Sequence, residues 1–514
     1  DYPTALLDPW ELPPNDEIPH EERKHYEKQM RTGYTIRESY KHWWVRDTDQ
    51  PYAEVERFDW IRGYHVGGRS LMWGRQSYRL SPMDFEANAK EGIAVDWPIR
   101  YEDIAPWYDK VEQFAGISGQ NEGLAQLPDG QFLPPFELNC VEKDLKKSMM
   151  DRFGRVLTIG RTAHLTQPHN GRGQCMSRNL CMRGCPYGAY FSSNAATLPA
   201  AAATGKMTLR PHSIVHSLEY DDSEGRVSGV NVLDAETGEM FTYRARVVFL
   251  NASAVNSTLI LMNSRSARFP NGLGNDSDQL GRNLMDHHFR VGAGGRVEGY
   301  EDRYYWGRRP TGFYIPRFRN VGSDRRDYVR GFGYQGSGSR EGWQRGIREL
   351  AIGPELKELV STPGTWSVGM MGFGEMLPHP DNRMTLDFEN TDKWGMPTVV
   401  FDCKFRENEW AMRKDMEQDA MEMVEAMGAK DVYSYNDPGG PGLGIHEMGT
   451  ARMGRDPRTS VLNANNQIHA APNVFMTDGA CMTSAGCQNP SLTYMALSAR
   501  AANFAADQLK KGEL

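Results

Sequence analysis

The sequence predicts an α/β fold, α+β overall, that combines strand–turn–helix units with an antiparallel sheet. The apolar run RVVFL (246–250) leads through the small residues NASAVNS into a short helix. Near the end of the chain, NVFMTDGA (473–480) precedes the long helical segment NPSLTYMALSARAANFAADQL (489–509). Short continuous apolar runs are typical of buried strands. Residues 290–402 alternate polar and aromatic residues among many Gly and Arg, which favours an antiparallel sheet.

Length and composition describe an ordinary, mildly acidic protein. The 514 residues suffice for two or three domains with a large buried core. Hydrophobic residues make up 39%, charged residues 25%, and the formal net charge is −8. Basic residues are scattered rather than arranged in a stripe, which argues against a nucleic-acid partner. No apolar run approaches the roughly 18 residues that span a bilayer, so no transmembrane segment is expected.

The other elements follow from local patterns. In chain order they are loops and short helices over 1–60, a glycine-rich turn region at 61–82, a helix from about Tyr101 to Ala115, a loop-rich stretch over 116–174, strands between Met207 and Leu250, a helix over 408–427 and a Gly/Pro turn at 436–444.

The C-terminal segment predicts an anion site. The strand NVFMTD ends on Asp478, and the small residue Gly479 after it lets a ligand approach the backbone closely. Asn489 and Pro490 then open a long helix, because Asn is a favoured N-cap and Pro a favoured first helical residue. The free N–H groups and the positive dipole end of that helix attract anions. Many α/β proteins carry such a segment, so it does not identify a function alone.

A histidine lies in a second unusual segment, GIHEMGTARMG (444–454). His446 is flanked by glycines, where a packing helix would show apolar periodicity. A single histidine is more often structural than catalytic. It becomes a candidate here because this segment and the C-terminal one occur together in a known order.

Six segments resemble those of the glucose–methanol–choline (GMC) oxidoreductases, FAD enzymes that oxidise alcohols. They are VGGRSLMWG (66–74), DWPIRYEDIAPWY (96–108), RVVFLNASAVNS (246–257), GRNLMDHH (281–288), HEMGTARMG (446–454) and TDGACMTSAGCQNPSLTYMAL (477–497). The resemblance covers nearly the whole chain. It implies a Rossmann-like FAD-binding domain and a substrate domain with an antiparallel sheet.

The resemblance also implies how the domains are assembled. Residues 1–110, 206–289 and 441–514 would form the FAD-binding domain, 111–205 a loop-rich insertion with a cysteine cluster, and 290–440 the substrate-binding domain. The family's first βαβ unit, with its G-x-G-x-x-G turn, is missing from this chain. We therefore expect the complete protein to carry a further stretch of about 30 or more residues, and this polypeptide to bind FAD poorly.

Residue roles can be carried over from the family. His446 matches the active-site histidine that takes the hydroxyl proton, and Asn489 matches the position that hydrogen-bonds the substrate oxygen. The implied FAD contacts are Gly67, Gly68, Arg69, Ser70 and Trp73 around the flavin and its diphosphate, Val215 at the adenine end, Ala252 and Ser253 in a turn, Asp478 and Gly479 beside the diphosphate, and Pro490 and Thr493 under the pyrimidine ring. Met72 stands where some relatives carry a histidine bonded to FAD, so we predict non-covalent FAD.

Three of the seven cysteines crowd into CMSRNLCMRGC (175–185), with the spacing C-x5-C-x3-C. Buried thiols or a disulfide are one interpretation. A zinc site is a second, although zinc favours a C-x2-C pair and would need a fourth ligand such as His169. An iron–sulfur cluster is a third, since thiolates are its usual ligands and C-x3-C-P is a familiar cluster ending. Cys185 is followed by Pro186.

The resemblance favours the iron–sulfur interpretation. FAD subunits of bacterial sugar dehydrogenases carry a similar three-cysteine motif, which implies a [3Fe–4S] cluster on Cys175, Cys181 and Cys185. A cluster passes on electrons one at a time, so this motif implies a dehydrogenase rather than an oxidase. The implied partners are a small signal-bearing subunit and a cytochrome c-type electron acceptor. Periplasmic localisation is implied by the same relatives, with the cytoplasm as the alternative.

The sequence gives two indications of the substrate. EDRYYWGRRPTGFYIPRFRN (301–320) supplies aromatic faces and fork-like donors that suit a polyhydroxylated ring, although an ordinary sheet surface explains them equally. CMRGCPYGAYF (181–191) resembles the glucoside 3-dehydrogenases, which implies oxidation of a glucoside at C3. Alternatives are a glucose, gluconate, fructose or polyol dehydrogenase of the same family, or a non-catalytic subunit that lacks FAD.

Overall fold

The computed structural model describes residues 2–303, 310–342 and 351–514. The α-helices of this part are α1 Glu27–Met30, α2 Pro82–Glu91, α3 Tyr101–Ala115, α4 Cys140–Phe153, α5 Leu198–Ala202, α6 Ala254–Asn263, α7 Gly353–Ser361, α8 Glu407–Ala426 and α9 Ser491–Lys511. The strands are β1 Tyr52–Glu54, β2 Thr158–Ile159, β3 Ser213–Asp221, β4 Arg226–Asp234, β5 Met240–Arg244, β6 Val248–Phe249, β7 His287–His288, β8 Val291–Val297, β9 Phe313–Ile315, β10 Phe332–Arg340, β11 Trp366–Glu375, β12 Arg383–Thr391, β13 Pro397–Asp402, β14 Lys430–Asn436, β15 Gln467–Ile468 and β16 Ala471–Phe475. Short 3₁₀ turns precede β1, as expected for residues 1–60.

A small sheet contains the two apolar strands that the sequence predicts. β6 and β16 pair in parallel, with Val248 opposite Val474, and β15 joins β16 in the antiparallel sense. Both valines are buried, as their continuous apolar runs require. α9 packs against α3 nearby, where the Thr493 and Tyr108 hydroxyl oxygens lie 2.7 Å apart. The C-terminal helix is therefore fixed to the first half of the chain.

The largest sheet has seven strands in the part of the chain that is described, in the order β14-β8-β11-β10-β9-β2, with β7 also paired to β11. Its described pairings are antiparallel, which confirms the prediction for 290–402 over β8 to β11. α8 covers one face of this sheet and buries Met412 and Met416 against it. One side of α8 therefore closes an apolar core that lies between this helix and the large sheet.

Two further three-stranded sheets complete the fold. β12 and β13 lie within 290–402 but leave the large sheet, because β13 pairs in parallel with β1 near the N-terminus. β3, β4 and β5 form an antiparallel sheet, as the strand pattern between Met207 and Leu250 predicts. The prediction of a single antiparallel sheet over 290–402 is therefore wrong for its last two strands.

The stretch 116–174, expected to be loop-rich, contains the helix α4. Val141 and Leu145 are buried at helical spacing. Asn139 caps the helix: its Oδ1 accepts the N–H of Glu142 at 3.0 Å, while Glu142 Oε2 accepts the N–H of Asn139 at 2.9 Å. The capping box and the apolar spacing were both visible in the sequence, and the prediction missed them.

Three element ends differ from their predictions. α6 begins at Ala254, earlier than expected, and β16 ends at Phe475, so Asp478 lies in the following turn and does not end the strand. α9 begins at Ser491 with Pro490 at its N-cap position. Asn489 is therefore not the N-cap. Its side chain instead contacts a residue of the large sheet, as described below.

Two buried apolar clusters account for most of the core. The larger includes residues of α2, α3, α6, β16 and α9, and the second lies between the large sheet, α4 and α8. The aromatic and arginine-rich stretch 301–320 is described only in part, since residues 304–309 lie outside the described residues. None of the described helices has both the length and the apolar character needed to cross a bilayer. The domain boundaries given above remain predictions.

Candidate active site

A cavity of about 1760 Å³ is lined by residues of the larger apolar cluster together with Gln335, Met371 and Phe373 of the large sheet. Small-molecule pockets usually enclose about 300–1,000 Å³, so this one has room for more than a substrate. Most of the predicted site residues line it, although they come from five separate parts of the chain. They are Gly67, Gly68, Arg69, Ser70, Trp73, Val215, Ala252, Ser253, His446, Asp478, Gly479 and Asn489.

Pro490 and Thr493 do not line the cavity, contrary to the role that the resemblance gave them. Thr493 is fully buried behind the wall, where its hydroxyl contacts Tyr108, and Pro490 is buried at the start of α9. The face of α9 that reaches the cavity carries Ser491, Tyr494 and Met495, at the i, i+3 and i+4 spacing of one helix face. The helix is the predicted one, but the side facing the cavity is different.

His446 is held by two neighbours on the strand β7 segment. Its backbone N–H donates to Asp286 Oδ1 at 3.1 Å, and its Nδ1 lies 2.7 Å from His287 Nδ1. The Asp286 carboxylate also accepts the N–H of Gly444 at 2.8 Å, so one buried side chain fixes both ends of this loop. Because Nδ1 of His446 is engaged, Nε2 is the ring nitrogen left for a ligand in the cavity.

Burial changes the pKa values of these groups. It lowers the pKa of His446 well below 6.5, with further lowering from His287 and Arg69, so that the imidazole is neutral near pH 7. Burial and, to a lesser extent, the neighbouring Glu447 carboxylate raise the pKa of Asp286 to about 7. A neutral imidazole can accept a proton, which is the property expected of a general base.

Asn489 is oriented by a residue of the large sheet. Gln335 in β10 donates from Nε2 to Asn489 Oδ1 at 2.5 Å. The amide Nδ2 of Asn489, a donor, therefore remains available to the cavity. The predictions did not include Gln335, since nothing in the sequence of β10 distinguishes it from an ordinary strand residue.

Arg69 is paired within the cavity wall. Its Nη1 donates to the buried Glu447 carboxylate at 2.8 Å, and its Nη2 donates to Ser253 Oγ at 2.9 Å. Ser253 has φ +76° and ψ 152°, a backbone conformation that only glycine adopts easily. Ile445, beside His446, has φ +59°, which is rarer still for a β-branched residue. Two strained residues thus lie in the wall of the same cavity, as is common at functional sites.

Family models identify the chain. Two GMC oxidoreductase models match it, one over residues 45–289 and the other over residues 378–498, together most of its length. The chain belongs to the GMC oxidoreductase family. As a member, it is an FAD-dependent oxidoreductase that acts on CH–OH groups.

Known proteins match this chain over most of its length. The chain is 29% identical to 2-methyl-1,2-propanediol dehydrogenase of Mycolicibacterium austroafricanum, over 96% of this chain and 89% of that protein. It is 28% identical to the fructose dehydrogenase large subunit of Gluconobacter japonicus, over 87% of this chain and 81% of that protein. The crystal structure of pyridoxine 4-oxidase from Mesorbium loti superposes with a TM-score of 0.56 at 16% identity, covering 90% and 88% of the two chains. This last likeness shows the fold.

The GMC cavity fits FAD at the residues that would hold it. The buried Tyr494 hydroxyl has no hydrogen-bond partner among the residues that the structure describes, and it lies beside Gly479. A Cβ built on Gly479 would come within 2.2 Å of the Glu447 carbonyl oxygen, so only glycine lets this wall take its shape. The start of α6, at Ala252 to Ala254, and the start of α9 both reach the cavity, and helix N-termini favour anionic groups. Met72 also lines it, and a thioether cannot form the covalent link of some GMC enzymes.

The three clustered cysteines lie beside the GMC cavity. Cys175, Cys181 and Cys185 are half-buried and line a second, small cavity of about 30 Å³. Cys181 Sγ lies 3.7 Å from His164 Nε2. Within residues 2–303, 310–342 and 351–514, no three His, Cys, Asp or Glu side chains are grouped in an arrangement that holds a metal ion. The structure thus brings the three thiols to one cavity without assembling the predicted ligand set.

Proposed function

We propose that this enzyme oxidises a secondary hydroxyl of a sugar, with C3 of a glucoside as the expected position and a 3-keto-glucoside as the product. One observation carries the proposal, namely the two side chains at the same cavity. His446 offers Nε2, because Nδ1 is used by His287, and Asn489 offers Nδ2, because Oδ1 is used by Gln335. A hydroxyl group both donates and accepts a hydrogen bond, so an alcohol matches this acceptor and donor.

In the proposed reaction, Nε2 of His446 accepts the hydroxyl proton while Nδ2 of Asn489 donates to the substrate oxygen. Loss of this proton makes the carbon a better hydride donor, and a positioned base typically contributes about 10²–10⁴-fold to the rate. FAD, when bound, supplies the acceptor for the hydride of that carbon. The Asp286 carboxylate holds the His446 loop, and Gln335 holds Asn489, so both groups are in place before the substrate binds.

The cavity wall supports a sugar-like substrate. Phe289 and Phe373 stack with their ring centres 5.2 Å apart and both line the cavity, which offers aromatic surface to a polyhydroxylated ring. One relative is named for fructose, which favours a sugar. Another is named for 2-methyl-1,2-propanediol, which favours a polyol as the second candidate.

A substrate panel tests the proposed reaction. The FAD-loaded protein is assayed with an artificial electron acceptor on glucosides, glucose, gluconate, fructose and 2-methyl-1,2-propanediol. We expect the highest kcat/KM with a glucoside and a carbonyl at C3 of the product. A higher kcat/KM with the diol selects the polyol alternative.

A histidine substitution tests the base. His446→Gln is expected to lower kcat by about 10²–10⁴-fold, the usual contribution of a general base. The matched control is His379→Gln, since the His379 side chain is 37% exposed and lies outside the cavity lining. If His446→Gln keeps most of its turnover on each substrate, the assignment of the base is wrong.

We further propose that Cys175, Cys181 and Cys185 hold a [3Fe–4S] cluster. Their common cavity supports this, as does the neighbouring Met182, which lines the FAD cavity next to Cys181 in the chain. Such a cluster, when bound, would pass electrons singly to an external acceptor. Iron and acid-labile sulfide are expected in the purified protein and are lost in Cys181→Ser but kept in Cys140→Ser. One zinc and no iron would overturn the proposal.

We propose a small signal-bearing subunit, a cytochrome c-type acceptor and a periplasmic location as the cellular setting. The support is that one relative is named as a large subunit. Affinity purification from the native host is expected to recover a small subunit and a haem protein in fixed ratio from the periplasmic fraction. Recovery of the chain alone from the cytoplasm contradicts this setting.

A further inference from the structure

Hydrogen-bond chemistry fixes the protonation of His287, a residue in the GRNLMDHH segment to which the sequence assigns no role. Its Nε2 lies 2.7 Å from the backbone carbonyl oxygen of Gly486. A carbonyl oxygen only accepts hydrogen bonds, so Nε2 must carry a hydrogen. His287 is 1% exposed, and no solvent competes for this contact.

The other nitrogen of His287 is therefore an acceptor. Burial lowers the pKa of His287 to about 4, so that its ring is neutral near pH 7. A neutral imidazole with its hydrogen on Nε2 carries a lone pair on Nδ1. That lone pair lies 2.7 Å from Nδ1 of His446, with the two rings nearly perpendicular, at 87°.

These hydrogen bonds then determine the tautomer of His446. Because His287 Nδ1 accepts, His446 Nδ1 must donate and carries the hydrogen of the neutral ring. Its lone pair is consequently on Nε2, the nitrogen left for the cavity. The opposite tautomer would place two lone pairs 2.7 Å apart and a hydrogen where the substrate proton must arrive.

We propose that His287 is a positioning residue that, through the Gly486 carbonyl, holds His446 in the Nδ1–H tautomer with Nε2 free to act as the base. The inference rests on the proposed function for its catalytic meaning. When Nε2 takes the hydroxyl proton, His446 becomes an imidazolium whose Nδ1–H still donates to His287. No other group of the protein gains or loses a proton in this step. The positive charge of His446 is stabilised by its existing hydrogen bond to His287.

The charged surroundings match this assignment. Asp286 and Glu447 face the pair as carboxylates, Arg69 as a cation, and His288 as a neighbouring imidazole. Arg69 is already paired with Glu447 at 2.8 Å, which limits its repulsion of an imidazolium at His446. Asp286 holds the backbone of His446, so the ring has a fixed position for the contact with His287.

Nitrogen NMR on the full-length protein tests the tautomer without any need for activity. The chain is labelled with ¹⁵N-histidine, and the His446 signals are assigned by their loss in His446→Gln. In the wild type near pH 7 we expect a neutral ring with its hydrogen on Nδ1. A hydrogen on Nε2, or a charged ring, overturns the inference.

A matched pair of substitutions tests the role of His287. The side chains introduced by His287→Asn and His287→Leu share a branched shape and number of heavy atoms, and both lose the Gly486 contact, but only Asn keeps an acceptor near Nδ1 of His446. We expect the Leu variant to lose the Nδ1–H tautomer of His446 and roughly 10²-fold in kcat, with little change in KM. The Asn variant is expected to keep the tautomer and recover most of that loss.

Two failures are distinguishable in these measurements. Equal tautomer populations in the Asn and Leu variants overturn the inference, whatever the substrate. If the wild type has the expected tautomer but oxidises no alcohol, the proposed function fails and the structural assignment of His287 stands.

Discussion

The two polar side chains at the candidate active site, His446 and Asn489, have neighbours that decide what they offer to a substrate. His446 has His287 and Asp286, Asn489 has Gln335, and the pairs come from different elements. A hydrogen bond to a buried polar group fixes its direction, and an unpaired partner costs about 1–3 kcal/mol. The residues that orient the site therefore influence its chemistry through His446 and Asn489.

The pH dependence of the reaction should follow His446. Its pKa is lowered below 6.5, mainly by burial, and the base is lost as the pH falls through that lowered value. We expect kcat/KM to stay level from pH 7.5 to 6.5 and to fall only in more acid solution. Asp286, with a pKa of about 7, is the other group able to titrate here. An acid limb near pH 7 that persists in Asp286→Asn contradicts the expectation.

Removal of the Gln335 donor should lower kcat/KM. Gln335→Met keeps the length of the side chain but leaves Asn489 Oδ1 without its 2.5 Å partner. Because a net hydrogen bond is worth about 0.5–1.5 kcal/mol, kcat/KM is expected to fall by about 2- to 12-fold. Steady-state kinetics give the ratio. Ser337→Ala, two residues along the same strand, is the control and should leave kcat/KM near the wild-type value.

At the scale of elements, short turns and helix starts form the cavity wall. The turn after β16 brings Asp478 and Gly479 to the cavity, and Asp478 Oδ1 accepts the N–H of Ala480 at 3.0 Å. Ser257 Oγ in α6 donates to Asp478 Oδ2 at 2.5 Å. The two strand–turn–helix units are thus joined at their turns, which is why residues more than two hundred positions apart line one cavity.

A methyl group at Gly479 should disturb this wall. In Gly479→Ala the added Cβ would lie 2.2 Å from the Glu447 carbonyl oxygen, so the backbone must shift. Overpacking of this kind typically costs about 1–3 kcal/mol, which we expect as a lower free energy of unfolding in urea, together with weaker FAD binding. Gly369→Ala is the control, since its Cβ would meet only the Ala293 carbonyl oxygen at 3.9 Å. Equal stability of the two variants contradicts this account.

At the scale of the whole molecule, the cavity combines residues of the large sheet with residues of the larger apolar core. The large sheet supplies Gln335, Met371 and Phe373, while turns such as the one at Asp478 and Gly479 supply other parts of the lining. No single described sheet contains the site alone. A ligand that binds across the cavity stabilises the folded protein by mass action, by about 2.7 kcal/mol at a free concentration of 100 times Kd.

The FAD of the loaded protein should be released by acid. Met72 lines the cavity, and its thioether forms no covalent bond to a flavin. After acid precipitation we expect the yellow chromophore in the supernatant, measured by its absorbance, and a colourless pellet. A pellet that keeps the colour contradicts non-covalent binding.

Most elements were predictable because their signals are local. The helix at Tyr101–Ala115 and the two apolar strands followed from short-range patterns, and all three elements were confirmed. The parallel pairing of the two strands with each other is a finding of the structure. The helix α4 was missed although its capping box is in the sequence. The face of α9 that reaches the cavity was not predictable, because the sequence does not show that Thr493 packs against Tyr108 while Tyr494 faces the cavity.

The sequence by itself determined the family and the order of the elements and made His446 and Asn489 the candidates for the active site, because these depend on residue types at fixed spacing. Only the tertiary structure decided which nitrogen of His446 and which atom of Asn489 are free. The reason is physical: a side chain's direction and protonation are set by partners such as His287, Gly486 and Gln335, and these distant segments become neighbours only when the chain has folded.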